Sequence, residues 1–350
     1  MEKEALARTL KEHLQWNKAR IDFISHFILV LLKYQTCVLS RLAQRMGPNF
    51  ENQVKRIYRF FAEFEIPQET FARLVLSITG LNKKKIVLIM DRTNWRFGLC
   101  DINILALCVA FNGVSLPLFW LVLTHKGNSS QSQRILLIDR FLKCFGNDCI
   151  DYFVADREFI GKEWLIYLRK KLRRFVVRIR ENQYIPNSRG INKPAKILFR
   201  NMSYGQTDFL RDRKLYGINF QVVGHKSHQG YMILLSTLPV DETISAYKTR
   251  WQIENLFGCL KTRGFDLEAT HLTHPDRIAK LVAILGLAVT WCLVIGEWKN
   301  QLKPIKLKTH GRLAKSIFRL GLDHLANVIL LVPNILLPDF KIALKKLSST

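Results

Sequence analysis

Acidic residues are scarce in this 350-residue chain, which carries 28 Asp and Glu against 54 Lys and Arg. The formal charge of +26 calls for a polyanionic partner, either nucleic acid or an acidic membrane surface. The excess is uneven: residues 161–215 hold 15 Lys and Arg against 4 acids, and residues 299–350 hold 10 against 2. We therefore expect the central and C-terminal parts to make most of the electrostatic contact.

Cysteine pairs and long apolar runs are also missing. The seven cysteines include no CxxC pair, which argues against a disulfide framework or structural zinc site and favours reduced thiols in a cytosolic protein. The longest apolar run, Leu281 to Gly296, is shorter than the roughly 18 to 20 residues that span a bilayer. We interpret this run as a buried helix and expect no membrane partner.

Residues 1–80 carry helical periodicity. Within them, residues 39–61 hold a helix pattern, a Gly-Pro-Asn break and a second, basic helix pattern. This order is compatible with a DNA-reading helix-turn-helix and equally with an ordinary helical hairpin.

From Lys83 onward the sequence carries patterns typical of β-strands. Ile86 to Met90 is predicted to form a buried strand that ends on Asp91. Two further apolar runs, 103–111 and 115–123, flank Asn112-Gly113, which is a strong hairpin signal.

Helix and strand patterns then alternate. A helix pattern around 133–145 precedes the short strand pattern Tyr152 to Ala155, which ends on Asp156. A basic helix pattern at 161–174 and a strand pattern at 175–179 follow. The order predicts an α/β sheet with helices on its faces.

The stretch 246–261 contains four polar or charged side chains that could take part in chemistry. On a helix, Tyr247, Arg250, Glu254 and Lys261 fall within about 60° of one another, beside an apolar stripe. A solvated face with the common i to i+4 charge pair is the alternative interpretation.

Asp91, Asp156 and Glu254 come from three separate elements and could converge. Strand-end aspartates are otherwise turn-formers or helix caps. Converging carboxylates suit Mg²⁺, and paired metal ions activate an attacking oxygen and stabilise a leaving one in phosphoryl transfer. The basic composition indicates the class of substrate, a nucleic acid with its phosphate backbone.

These residues resemble a known family. The order Asp91, Asp156, Glu254 is similar to the DDE triad of RNase H-like transposases, and the spacing of the four-residue stripe resembles the YREK signature of insertion-sequence family four. MDRTNW (90–95) and ADREFIG (155–161) are similar to blocks of that family. The resemblance extends from about residue 83 to residue 265.

The resemblance implies roles for single residues. Asp91, Asp156 and Glu254 would hold Mg²⁺ or Mn²⁺, as two ions. Tyr247, Arg250 and Lys261 would contact transposon-end phosphates, to which these side chains can donate. Arg157 and Glu158 could supply a phosphate contact and a further metal ligand, or form only a surface salt link.

The resemblance also implies a function: a bacterial, cytoplasmic DNA transposase that binds insertion-sequence ends, nicks them by metal-dependent hydrolysis and joins the 3′-hydroxyls to target DNA. A homodimer would form the synaptic complex. The alternatives are a metal-dependent nuclease that does not join strands and a catalytically inactive DNA-binding regulator. A membrane-surface protein would explain the charge but not the strand-borne acids.

The implied fold is an RNase H-like core interrupted by a β-rich insertion, with helical N-terminal and C-terminal parts. The expected domains are a helical DNA-binding domain (1–80), the first part of the catalytic core (81–182), the insertion (183–240), the second part of the core (241–298) and a basic helical part, the candidate dimerisation surface (299–350).

Tryptophan is absent from residues 183–240, whereas some family members use a tryptophan there to catch a flipped base. Base stacking needs only an aromatic face, so another aromatic residue could substitute. The candidates are Tyr184, Phe199, Tyr204, Phe209, Tyr216, Phe220 and Tyr231. We expect Phe199 and Phe220 to be core residues and the insertion to act chiefly as a basic clamp on DNA.

Overall fold

A computed structural model describes residues 2–309, 311–330 and 337–348. Its centre is a mixed sheet in the order β3-β2-β1-β4-β5-β10-β9-β8. The strands are β1 (Ile86–Phe97), β2 (Cys100–Phe111), β3 (Val114–Leu123), β4 (Ile150–Ala155), β5 (Phe175–Ile179), β6 (Tyr184–Pro186), β7 (Asn192–Pro194), β8 (Thr207–Leu215), β9 (Ile218–Ser227) and β10 (Gly230–Ser236).

The helices are α1 (Glu2–His13), α2 (Lys18–Tyr34), α3 (Leu39–Ala43), α4 (Phe50–Glu63), α5 (Gln68–Ile78), α6 (Gln131–Phe145), α7 (Lys162–Lys171), α8 (Ala195–Leu198), α9 (Val240–Lys248), α10 (Trp251–Leu260), α11 (Pro275–Leu302), α12 (Ile317–Leu330) and α13 (Leu337–Ser348). Short 3-10 helices lie at Leu81–Lys83 and Leu267–Thr270.

The first three strands form an antiparallel unit, and β4 and β5 continue the sheet parallel to β1. Asn112 and Gly113 both have positive φ, 47° and 85°, as the tight β2–β3 turn requires, which confirms the predicted hairpin. Three antiparallel strands followed by alternating helices and parallel strands are consistent with the RNase H-like fold. The predicted α/β sheet is therefore confirmed.

The predicted end of the first strand at Asp91 is wrong. β1 continues to Phe97, because its backbone keeps antiparallel pairing with β2 down to Phe97 opposite Cys100. Only the parallel pairing with β4 stops here, at Met90 opposite Ala155. The change from apolar to polar side chains at Asp91 therefore marks the end of the parallel pairing, not the end of the strand.

Strands from residues 183–240 extend the central sheet. β10 pairs antiparallel with β5, β9 pairs with β10, and β8 forms the outer edge. β6 and β7 form a separate two-stranded sheet. Phe199 and Phe220 are each 1% exposed, which confirms them as core residues, whereas Tyr204 is 67% exposed.

Helix α11 is the apolar core helix of the described structure. It contacts α2, α5, α12 and α13, and also β3. By length and composition it could cross a membrane, but 83% of its apolar window is buried inside the protein. The predicted buried helix at Leu281 to Gly296 is confirmed, and the N-terminal and C-terminal helices pack on it together.

The single helix predicted for 246–261 is wrong. α9 ends at Lys248 and α10 begins at Trp251. The link is a tighter turn, in which Arg250 N–H donates to Tyr247 O at 3.0 Å and Gln252 N–H donates to Thr249 O at 3.1 Å. These i to i+3 bonds break the regular helix ladder while Arg250 keeps helical backbone angles.

Candidate active site

Asp91 and Asp156 occupy matched positions on adjacent strands. The last residues of the parallel β1–β4 pairing are Met90 and Ala155, and each aspartate is the next residue. Parallel strands deliver corresponding residues to the same edge of the sheet. The two aspartates therefore lie side by side at the point where the β1–β4 pairing ends.

Helix α10 is fixed over the antiparallel unit by its polar side chains. Gln252 Oε1 accepts from Phe111 N–H at 2.9 Å, and Asn255 Nδ2 donates to Gly113 O at 2.8 Å. The polar side chains on this side of the helix therefore bind the β2–β3 hairpin. They hold α10 in a defined position beside β1.

Arg250 joins two of the predicted carboxylates. Its Nη1 lies 3.2 Å from Asp91 Oδ2, and its Nη2 lies 2.7 Å from Glu254 Oε1. The Arg250 side chain is 5% exposed, against 15% for Asp91 and 40% for Glu254. A buried guanidinium thus bridges the strand-borne and the helix-borne acid.

Tyr247 reaches the second aspartate. Its hydroxyl donates to Asp156 Oδ1 at 2.9 Å, and Arg178 Nη1 lies 4.0 Å from the same oxygen. The structure therefore brings together Asp91, Asp156, Glu254 and two residues of the predicted stripe, Tyr247 and Arg250. Arg178 was not predicted from the sequence. The sequence feature that could have indicated it is a charge within the otherwise apolar strand β5.

The electrostatics of this group follow from burial. Burial raises the pKa of Asp91 to about 7, and the neighbouring Glu158 and Asp156 carboxylates add to the rise. Arg250 and the Arg92 N–H act to lower that pKa but do not offset burial. Burial also raises the pKa of Tyr247, so its hydroxyl stays protonated and can donate.

Burial acts to lower the pKa of Arg250, but its acidic neighbours outweigh burial. The charges of Asp156 and Asp91 and the hydrogen bond to Glu254 raise that pKa, so the guanidinium stays charged.

Lys261 lies outside this network. Its Nζ is 2.7 Å from Glu268 Oε1, donates to Asn94 O at 3.2 Å and lies 5.4 Å from the Trp95 ring centroid. The predicted phosphate contact of Lys261 therefore stays a prediction. A DNA phosphate would have to compete with Glu268 for the Lys261 ammonium group.

Arg157 and Glu158, which follow Asp156, differ in their surroundings. Arg157 is exposed, and its predicted phosphate contact stays a prediction. Glu158 forms a bidentate ion pair with Arg92, whose Nε lies 3.2 Å from Oε1 and whose Nη2 lies 3.1 Å from Oε2. The salt-link interpretation of Glu158 is thus confirmed. Its partner, Arg92, was missed although it lies within the MDRTNW block.

Comparison with known proteins decides the family. The profile described as "Transposase DDE domain" matches residues 82–291. The chain belongs to this family. A comparison with curated proteins gives no match. A solved structure of an endonuclease V from Bacillus subtilis is 9% identical, with a TM-score of 0.28, and the match covers 56% of this chain and 90% of that chain. Likeness at this level says nothing about activity.

The acidic group of this DDE domain suits a divalent cation in its chemistry. Asp91, Asp156 and Glu254 offer the carboxylate oxygens that Mg²⁺ prefers. Within the described ranges, however, no three such side chains stand close enough together to hold an ion. Arg250 occupies oxygens of Asp91 and Glu254, so it is a competitor for the same ligands.

Proposed function

We propose that this chain is a DNA transposase of the YREK-marked insertion-sequence family four. It binds the ends of its element, cleaves them by Mg²⁺- or Mn²⁺-dependent hydrolysis and transfers the 3′-hydroxyls to target DNA. The observation that supports this most is the convergence of Asp91, Asp156 and Glu254 on one Arg250–Tyr247 network, in a chain of the transposase DDE family.

In this proposal Asp91, Asp156 and Glu254 hold the metal, as a pair of ions. The metal would activate the attacking oxygen and stabilise the leaving oxygen of the phosphodiester. Arg250 and Tyr247 turn toward the phosphates of the element end, which releases carboxylate oxygens. Lys261 and the exposed Arg157 add phosphate contacts.

The basic composition supports the DNA part of the proposal. We assign end recognition to residues 1–80, and sequence-independent contact to the basic stretches 161–215 and 299–350. Two copies would bring two ends together as a homodimer, with the C-terminal helices as the contact. The site of action is the bacterial cytoplasm, on nucleoid DNA.

One observation favours a second candidate, a catalytically inactive DNA-binding regulator. Arg250 pairs with both Asp91 and Glu254, an arrangement that would serve a protein in which these acids no longer bind metal. A nuclease that cuts without joining has the same site and differs only in its products.

Strand-transfer reactions separate the three candidates. The protein is incubated with Mn²⁺, a duplex carrying the terminal repeat that flanks its gene, and a supercoiled target plasmid, with Asp156→Asn as the inactive control. Joined products support the transposase. Nicks without joining identify the nuclease, and specific binding without cleavage identifies the regulator.

A further inference from the structure

The ion pair between Arg92 and Glu158 links the two segments that carry the aspartates. Arg92 directly follows Asp91, and Glu158 lies two residues after Asp156. The pair is bidentate, and its side chains are only 15% and 20% exposed. Paired N–H donors and carboxylate oxygens fix both distance and orientation, so this contact is more specific than an ordinary surface ion pair.

The backbone at Arg92 contacts the Asp91 carboxylate, and the Arg92 side chain is held by a second strand. The Arg92 backbone N–H donates to Asp91 Oδ1 at 2.7 Å. Its Nη1 donates to Oδ1 of Asn103 at 3.0 Å, and Asn103 is 2% exposed. The Asn103 Nδ2 in turn donates to Gly127 O at 2.9 Å. The guanidinium is therefore held in place from β2 and from the loop after β3.

The segment with Glu158 is anchored as firmly. Phe159 is fully buried, and its N–H donates to Asp156 O at 3.0 Å. The Arg134 guanidinium lies 5.0 Å from the Phe159 ring centroid, and the Arg134 side chain also donates to Ser129 O at 2.7 Å. Glu158 thus projects from a fixed turn.

The Arg92–Glu158 pair, called the strap below, lies where the β1–β4 pairing stops holding these two segments together. The parallel β1–β4 pairing ends at Met90 opposite Ala155, one residue before each aspartate. Beyond that point no ladder hydrogen bond sets the separation of the two carboxylates. The next direct link between the segments among the described residues is the Arg92–Glu158 pair.

We propose that Arg92 and Glu158 are positioning residues that set the spacing of the Asp91 and Asp156 carboxylates, and through it the affinity for the divalent cation. In this proposal the pair acts through the two aspartates and is not itself a ligand of the metal. This inference rests on the proposed function, because it takes Asp91 and Asp156 as metal ligands. Residues that orient metal ligands typically change metal affinity or activity 10- to 100-fold when they are replaced.

A double-mutant cycle on the whole protein tests this role. Arg92→Gln, Glu158→Gln and the double variant are titrated with Mn²⁺ in the absence of DNA, by calorimetry. Each single variant should weaken Mn²⁺ binding by about tenfold. The double variant should bind no worse than the weaker single variant, because both changes break the same contact.

Other patterns overturn the proposal. Losses that multiply to about a hundredfold in the double variant would show that the two residues act separately. A much larger loss for Glu158→Gln than for Arg92→Gln would make Glu158 a ligand. Unchanged Mn²⁺ affinity in all three variants would make the strap purely structural.

Two controls keep the result interpretable. Arg174→Gln breaks an exposed pair with Asp151 at the start of β4 and should leave Mn²⁺ affinity unchanged. Should a Gln variant unfold, Arg92→Lys and Glu158→Asp replace it. Each keeps the charge, but Lys lacks the paired N–H donors and Asp is one methylene shorter, so each should still weaken Mn²⁺ binding. Unaltered affinity in these conservative variants would contradict the proposal.

The proposed function fails in a different way. If the variants show the predicted coupling in Mn²⁺ binding but wild-type protein joins no DNA, the result contradicts transposition and supports the positioning role of Arg92 and Glu158. Wild-type protein that binds no Mn²⁺, either alone or with end DNA present to draw Arg250 away from Asp91 and Glu254, overturns both proposals.

Discussion

The Arg250 guanidinium lies 3.2 Å from the Asp91 carboxylate, and both side chains are largely buried. Arg250 also pairs with Glu254 at 2.7 Å. In the absence of DNA, therefore, a protein cation holds oxygens that the proposed metal site needs. A phosphate group is the natural alternative partner for Arg250, so DNA binding and metal binding should be coupled through this side chain.

Replacing Arg250 should separate these two effects. We expect Arg250→Gln to bind Mn²⁺ severalfold more tightly without DNA at pH 8, because a competing cation is removed. The same variant should bind cleaved end DNA more weakly, by about one phosphate contact. Lys248→Gln, at an exposed position of the preceding helix, is the matched control. Weaker Mn²⁺ binding by Arg250→Gln would mean that Arg250 orients the carboxylates.

Asp91 should make stability depend on pH. Burial raises its pKa from 3.8 to about 7, so the native state binds a proton more tightly than the unfolded chain in this window. The free energy of unfolding contributed by Asp91 therefore falls as pH rises from about 4 to about 7. Asp91→Asn cannot ionise, so its free energy of unfolding should rise relative to that of wild type over this pH range, by at most on the order of 4 kcal/mol.

Thermal unfolding of metal-free protein between pH 4 and pH 8 measures this gain. Asp101→Asn, at an exposed carboxylate on β2, is the control and should follow wild type. A constant difference between Asp91→Asn and wild type across the range would show that Asp91 keeps an ordinary pKa.

Lys261 and Glu268 form a pair that DNA should disrupt. Lys261→Ala should weaken binding to cleaved ends and reduce the slope of log affinity against log salt by roughly one. Glu268→Gln frees Lys261 and should bind at least as tightly as wild type, with an unreduced slope. Equal slopes for wild type and Lys261→Ala would leave Lys261 as a structural partner of Glu268.

Helix α4 presents the exposed residues Asn52, Lys55 and Arg59 at spacings that place them on one face. We expect Lys55→Gln and Arg59→Gln to reduce the preference for element ends over unrelated DNA by about tenfold together. Competition binding with both DNAs measures the preference. Lys11→Gln, on the exposed side of α1, should preserve it. Unchanged preference in the α4 variants would place end recognition elsewhere.

The sequence was informative where the structure depends on local pattern. The apolar runs before Asp91 and Asp156 and the Asn112-Gly113 turn are local signals. The structure has strands and a turn at these positions, although β1 continues past Asp91 to Phe97. The break at Thr249 and Arg250 could not be predicted, because the apolar periodicity continues through it. Helical backbone angles at Arg250 preserve that pattern across the break.

Long-range pairing set the limit of prediction. Arg92 and Glu158 are 66 positions apart, and no periodicity links them. The pairing of β10 with β5 depends on a free strand edge, which only the assembled sheet shows. The position of Arg250 between two acids likewise arises from docking α10 on the hairpin, through contacts that span 141 and 142 positions.

The most direct measurement is metal-dependent cleavage of end DNA by Asp91→Asn, Asp156→Asn and Glu254→Gln. If the three carboxylates form one metal site, each variant should lose several kcal/mol of transition-state stabilisation, at least about a thousandfold in rate. Binding to the same DNA should stay close to wild type. Near-normal cleavage by any one of the three variants would remove that residue from the site and contradict the account.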